Sequence, residues 1–305
     1  MAAGAASVAL GGGLPALAYT RRRQAVHSEL PRIERIAVSS WSLHNYFRAT
    51  RDRSSRLPGA TLVLLDFPDA IVDRYSIRHF EFCASHFPST EPEFLKELKY
   101  TLKRTESSLV NLVVDIEQCG PEGTFSSPDW TKRSAALNIV KSWVDVAHEL
   151  GARSISAGPG KMEAGKWTRT MNSYRTVAAY AQAKGLHVLV ENRAGFGVKL
   201  AEDLVKLIKL IGPGRISALP DLTGFADESA RAEGLKTLFH YASELCHVQS
   251  REFNAAGDEK SYDLRAAVEV ARRANFRGIY SIQFEGPGDP YTGIQKTLDE
   301  LLKEI

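Results

Sequence analysis

Cysteine is scarce in this chain. The 3 present, Cys83, Cys119 and Cys246, are odd in number and follow no pairing pattern, which excludes a disulfide scaffold. Cys83 and Cys246 lie in apolar, strand-like runs and read as buried, inert thiols. An excess of one charge sign is also lacking. The formal net charge of +3 is too slight to argue for a nucleic-acid partner. No apolar run is long enough and free enough of glycine to form a stable membrane span. No Gly-rich dinucleotide fingerprint follows the first strand-like run, which weakens a Rossmann reading. Nor is there a linker that would mark a second domain.

The N-terminus is Ala/Gly-rich from Met1 to about Ala18 and carries Ala16-Leu17-Ala18, a small-residue cleavage pattern. A basic stretch before it is missing, and Arg21, Arg22 and Arg23 follow it. We read residues 1–30 as the remnant of an export signal followed by a flexible arm, and residues 31–305 as the folded unit. On this reading the protein is exported, to a periplasm; if the segment is only a flexible tail, the protein is cytoplasmic. Residues before about Ser28 are expected to pack against nothing.

Strand-like and helical runs alternate along the rest. Strands are predicted over Ile33–Ser40, His79–Cys83, Leu109–Ile116, Ser154–Gly158, within His187–Glu191, over Ile216–Asp221, Cys246–Glu252 and Tyr280–Glu285. Helices are predicted over Leu62–Asp73, Glu93–Ser107, Ser134–Leu150, Asn172–Lys184, Glu202–Ile211, Tyr262–Ala274 and Ile294–Ile305, with only a short connecting segment at Gly234–Glu244. The strands are rich in Val, Ile, Leu and Phe without a clean two-sided alternation, as in a parallel sheet covered by helices. Eight such units fit a single closed (β/α)₈ TIM barrel, an α/β fold of commonly ~250 residues, better than an open sheet.

Chemistry in such folds collects where strands end. His187-Val188-Leu189-Val190-Glu191-Asn192-Arg193 passes from an apolar run straight into a carboxylate, an amide and a guanidinium. Three later strands end similarly, at Asp221, at Gln249-Ser250-Arg251-Glu252 and at Gln283-Phe284-Glu285. A carboxylate closing a Val/Leu run is costly to bury unless paired or metal-bound, so Glu191 carries the strongest functional reading, against a plain ion pair with Arg193. Asp221 reads as a site residue or as a turn cap. Trp41 is a sugar-stacking platform or a plug in the barrel mouth; His44 and His86 follow strand ends and are sugar contacts or structural hydrogen-bonders. Arg251 cannot be deprotonated and so is no base, but could clamp an anion or pair with Glu252.

The order of Val190-Glu191-Asn192, Pro220-Asp221, His247-Val248-Gln249-Ser250-Arg251-Glu252-Phe253 and Gly278-Ile279-Tyr280-Ser281-Ile282-Gln283-Phe284-Glu285 resembles the xylose isomerase-like TIM barrels, from about Arg35 to the C-terminus. That superfamily includes sugar epimerases, keto-sugar isomerases, dehydratases and apurinic endonucleases. The resemblance implies one divalent metal (Mn, Mg, Co or Zn) held at positions 191, 221, 249 and 283. Glu191 and Asp221 match the family's acidic ligands. Gln249 stands where a His is usual and Gln283 where a Glu is usual, so the ligand charge falls from −3 to −2. An amide oxygen can still ligate a hard cation, but it cannot carry a proton. A second catalytic carboxylate would therefore be Glu285, which shares strand parity with Gln283. His247 shares parity with Gln249 one layer deeper.

The resemblance thus implies a metal-dependent sugar isomerase or epimerase with Glu191 and Glu285 as catalytic residues. Trp41, His44, His86, Arg193, His247 and Arg251 would contact a small-molecule sugar or polyol. A lyase or dehydratase acting on a keto-sugar, or a metal-free carbohydrate-binding barrel, are the alternatives. An apurinic endonuclease would need several more His and Glu ligands. The sequence leaves the oligomeric state open.

Overall fold

A computed structural model describes residues 31–55, 57, 62–116, 124–160, 167–193 and 201–305. The N-terminal leader, Cys119 and the rest of 117–123, 161–166 and 194–200 lie outside the described residues. The strands are β1 Ile36–Ser39, β2 His79–Cys83, β3 Ser108–Val114, β4 Ser154–Ala157, β5 His187–Glu191, β6 Ile216–Leu219, β7 Leu245–Ser250 and β8 Ile279–Phe284. All pair in parallel, in the order β6-β5-β4-β3-β2-β1-β8-β7.

The described helices are α1 Phe67–Tyr75, α2 Pro92–Arg104, α3 Trp130–Glu149, α4 Trp167–Ala183, α5 Ala201–Ile211, α6 Glu228–Phe239, α7 Leu264–Arg273 and α8 Pro290–Glu304. Proline sits in the first turn of α1, α2 and α8, where its missing N–H costs little. Aspartate caps the N-termini of α3, α6, α7 and α8, accepting backbone N–H bonds through Asp129, Asp227, Asp263 and Asp289.

Two expectations need correction. The first strand begins only at Ile36, because Arg32–Arg35 forms a single 3₁₀ turn. The supposed connecting segment at Gly234–Glu244 overlaps a full helix, α6. Gly234 in its middle weakens the helical signal, but the residue is there for packing: a Cβ would overlap the ring of Phe225.

The last seam of the barrel, between β6 and β7, is not a continuous ladder. It closes just beyond the end of β6, where the His247 N–H donates to the Pro220 carbonyl at 2.8 Å and the Leu222 N–H donates to the His247 carbonyl at 3.2 Å. The closure therefore sets Asp221 beside His247.

Apolar packing occupies two shells. A large core fills the space between sheet and helices. Inside the barrel, Ala37, Val110, Leu189, Leu219, Leu245 and Ile279 form a small apolar plug. Nearer the C-terminal mouth the inward positions turn polar: Glu81, Asn111, Ser156, His247 and Ser281 are buried one step up, and Gln283 is buried one step further. The site rests on that polar layer.

Candidate active site

His247 lies at the centre of the barrel with both ring nitrogens against carboxylates. Nδ1 lies 2.8 Å from Glu191 Oε1 and Nε2 lies 2.9 Å from Glu81 Oε2. A neutral imidazole has one N–H, so donating to both carboxylates takes the doubly protonated form. Burial works against that charge, but Glu81 and Glu191 outweigh it and hold the His247 pKa well above its ordinary value. Reciprocally, burial pushes both carboxyls up, while His247 more than reverses this and leaves Glu81 and Glu191 below the usual carboxylate range.

Glu81, wholly buried, is further secured by N–H bonds from Asn111 at 2.8 Å and Gln283 at 3.0 Å, and by the Ser281 hydroxyl at 3.3 Å. Asn111 also donates to Ser156 Oγ at 3.0 Å and accepts from the Ser154 hydroxyl at 2.8 Å. The acidic residue in the middle of β2 is thus tied to strands β3, β7 and β8. Sequence reasoning misses Glu81 as a site residue, although the signal is present: a carboxylate between Phe80 and Phe82 is as costly to bury as one that ends a strand.

Asp221 is placed by its neighbour strand. Its N–H donates to Asn192 Oδ1 at 2.7 Å, and Asn192 Nδ2 returns a bond to the Asp221 carbonyl at 3.2 Å. Asp221 turns the chain, accepting the Thr223 N–H at 2.6 Å, and its carboxyl lines the central pocket. Burial and the adjacent Glu191 carboxylate push its pKa up to about 7. Near neutral pH the Glu191–Asp221 pair therefore holds part of a proton.

Glu191, Arg193, Asp221, His247, Gln249, Gln283, Glu285 and Trp41 line one pocket at the C-terminal mouth, joined by Cys83, Ser85, Val113 and Asp115. Glu285 points into the barrel, held by the Trp41 indole N–H at 2.7 Å and by Arg251 at 3.0 Å. So Arg251, exposed at the rim, pairs with Glu285 and not with Glu252, which binds Lys260. Burial opposes the charge of Arg193, but Glu191, Glu285, Asp115 and Asp221 around it raise its pKa. The Cys83 thiol on the wall is pushed up to about 12, by burial first, and is inert.

Two expected contacts are not on this wall. His86 is buried, stacked on Phe47 with ring centroids 3.9 Å apart, and its nitrogens face the hydroxyls of Ser40 at 2.8 Å and Thr50 at 2.9 Å. Burial lowers its pKa to about 3, so it stays neutral. His44 uses Nδ1 on the Trp41 carbonyl at 2.9 Å and Nε2 on Asn45 at 2.9 Å. Both stack with Trp41 and serve to hold it.

Ligand atoms of Glu191, Asp221 and His247 lie within 4.8 Å of one another. The oxygen donors fit a hard divalent cation: two carboxylates forced together, one with a raised pKa, are what such an ion relieves. His247 fits only if it gives up a carboxylate partner, since an imidazolium has no lone pair. Gln249 and Gln283 add amide groups, though Gln283 donates to Glu81 and Gln249 Oε1 accepts from the Thr223 hydroxyl.

Comparison with proteins of curated function finds no sequence match. Among solved structures, the D-psicose 3-epimerase of Clostridium cellulolyticum H10 is 15% identical with a TM-score of 0.63, covering 88% of this chain and 96% of that one. The 3-keto-D-glucoside 4-epimerase of E. coli is 15% identical, TM-score 0.66, covering 88% and 99%. A xylose isomerase-like TIM barrel protein from Mycobacterium smegmatis, solved in complex with magnesium, is 13% identical, TM-score 0.65, covering 91% and 97%. A sequence profile of the xylose isomerase-like TIM barrel family matches residues 71–305, and the chain belongs to that family.

Proposed function

We propose that the protein is a sugar isomerase or epimerase that moves a proton at a carbon next to a carbonyl. The observation that carries this reading is the meeting of Glu191, Asp221 and Glu285 in one pocket beside Trp41. Likeness to epimerases of keto-sugars supports it. A divalent cation on Glu191 and Asp221 would polarise neighbouring substrate oxygens and so acidify the adjacent C–H.

Glu285 is the proton acceptor. Trp41 and Arg251 fix its two oxygens, so it meets the substrate in one orientation. Returning the proton to the neighbouring carbon gives isomerisation. Delivery of a proton from solvent water to the opposite face of the same carbon gives inversion, with Glu285 then losing its proton to solvent. Glu191, held as a carboxylate by His247, stays on that opposite side as the charged wall. Gln283 carries no titratable proton and takes no part in the transfer. His247 fixes the charge and position of Glu191 from below.

The test is exchange of substrate C–H in D₂O, followed by proton NMR over a panel of ketohexoses with Mn²⁺ present. Glu285→Gln should slow exchange about 10²–10⁴-fold. Exchange at an unchanged rate would remove Glu285 from the reaction. Sugars that bind without exchanging would make the protein a binding barrel.

A further inference from the structure

The carboxylate pocket by itself does not account for what the site accepts. Its free space is about 30 Å³, room for two or three waters at roughly 10–15 Å³ each. Next to it runs a groove of about 740 Å³, the size of sites that hold whole small molecules. Pocket and groove share Arg193, Asp221, Gln249 and Glu285 as walls. A ligand lying in the groove therefore brings one end to the carboxylates. The remainder of the groove is formed by the loop between β6 and α6, by Glu228 and Arg231 of α6, and by Arg251, Ser261 and Tyr262 of the loop between β7 and α7.

Its chemistry is polar without a surplus of positive charge. Arg193, Arg231 and Arg251 face Asp221, Asp227, Glu228 and Glu285. Arg231 donates to the Leu222 carbonyl at 2.7 Å and pairs with Glu228, while its guanidinium lies 4.9 Å from the centre of the Tyr262 ring. Arg251 pairs with Glu285. A phosphate or carboxylate entering here would have to break such a pair and would meet more acids than bases. Phe225, half-buried, gives the groove one accessible aromatic residue, Tyr262 being buried beneath Arg231, and the hydroxyls of Thr223 and Ser261 give it short polar contacts. Uncharged rings with hydroxyl edges and apolar faces suit such walls.

We propose that the groove is a second subsite, and that the substrate is an uncharged glycoside. The sugar to be altered would lie over the shared residues with its reacting oxygens turned into the pocket. The second sugar or aglycone would lie along Phe225, between the loop before α6 and Ser261. The inference rests on the sugar isomerase or epimerase reading above, and it sets free monosaccharides and sugar phosphates aside as preferred ligands.

Titration calorimetry on the full chain, with Mn²⁺ present throughout, tests it. The probes are glucose, fructose, fructose 6-phosphate, maltose, cellobiose, sucrose and the 4-nitrophenyl α- and β-glucosides. We expect at least one neutral glycoside to bind at least tenfold tighter than its parent monosaccharide. Ala226→Trp, which fills the groove from an exposed position, should bring that glycoside down to the monosaccharide level; Ser261→Trp does the same from the opposite loop, and both are checked for folding by circular dichroism. Glycosides no tighter than monosaccharides, fructose 6-phosphate tighter than every neutral probe, or a preference that survives both folded variants would overturn the inference and leave the sugar reading standing. Binding of none of the probes would overturn both.

Discussion

His247 is the residue on which the polar layer turns. It carries one positive charge between the buried Glu81 carboxylate of β2 and the partly exposed Glu191 carboxylate of β5, and it also supplies the backbone groups that close the barrel. Replacing it by an uncharged residue leaves Glu81 with only its amide and hydroxyl donors and Glu191 with only Arg193 as a nearby positive charge. Removing one partner of a buried ion pair typically costs about 3–5 kcal/mol, so His247→Asn should lower the unfolding free energy by about that amount in urea titrations at neutral pH. An unchanged midpoint would mean that the two carboxyls are held neutral without it.

Asp221 governs the pH dependence. Its folded-state pKa of about 7 lies above the unfolded value of about 3.9. A raised folded pKa gives stability that is fully present below the unfolded value and is lost as pH rises through the folded one. This group therefore costs the cation-free protein stability between about pH 4 and pH 7. A divalent cation needs the same carboxylate deprotonated and must displace the proton. Mn²⁺ affinity should climb with pH up to about 7 and level off above it, with one proton released per ion on the acid side. Calorimetry in buffers of different ionisation enthalpy reads that proton directly, and a pH-independent affinity would exclude Asp221 as a ligand.

At the scale of elements, the site depends on two loops touching at one glycine. Gly286 follows the end of β8, and a Cβ there would overlap the carbonyl oxygen of Arg251 on the loop after β7. The collision is with backbone, so side-chain rotation cannot relieve it. Gly286→Ala should cost about 1–3 kcal/mol, as overpacking does, and should part Arg251 from Glu285. Thermal unfolding measures the first effect. The second should appear as a loss of proton exchange in sugar substrates greater than the loss of folded protein accounts for.

For the whole molecule, the weak point of the closed sheet is the β6–β7 seam. Elsewhere neighbouring strands form parallel ladders, with one register shift between Phe80 and Glu81 in the β2–β3 pair; here two backbone bonds beside Asp221 join the edges. Local opening follows the number of bonds that must break together. Hydrogen exchange should therefore be faster at the amides of His247 and Leu222 than in the β1–β2–β3 ladder. Uniform protection around the barrel would argue against the weak seam.

Much of this was determined by the sequence alone. Strand-like runs that end abruptly in Glu191, Asp221, Gln249 and Gln283 are local patterns, and so are most of the helices; they name the barrel and the end at which its chemistry gathers. Parity along a strand, also local, brings Glu285 and His247 to the inside. The tertiary structure alone decided what those side chains touch. Glu81 stands far from His247 in sequence and meets it only because eight strands close around one axis. His44 and His86 follow strand ends as site residues do, yet their nitrogens are taken up by neighbouring protein groups. Periodicity is written in consecutive residues, whereas the layer at which each strand contributes a side chain depends on register across the barrel. That register is set by strand pairing and by closure at the Asp221–His247 bridge, which no single stretch of the chain contains.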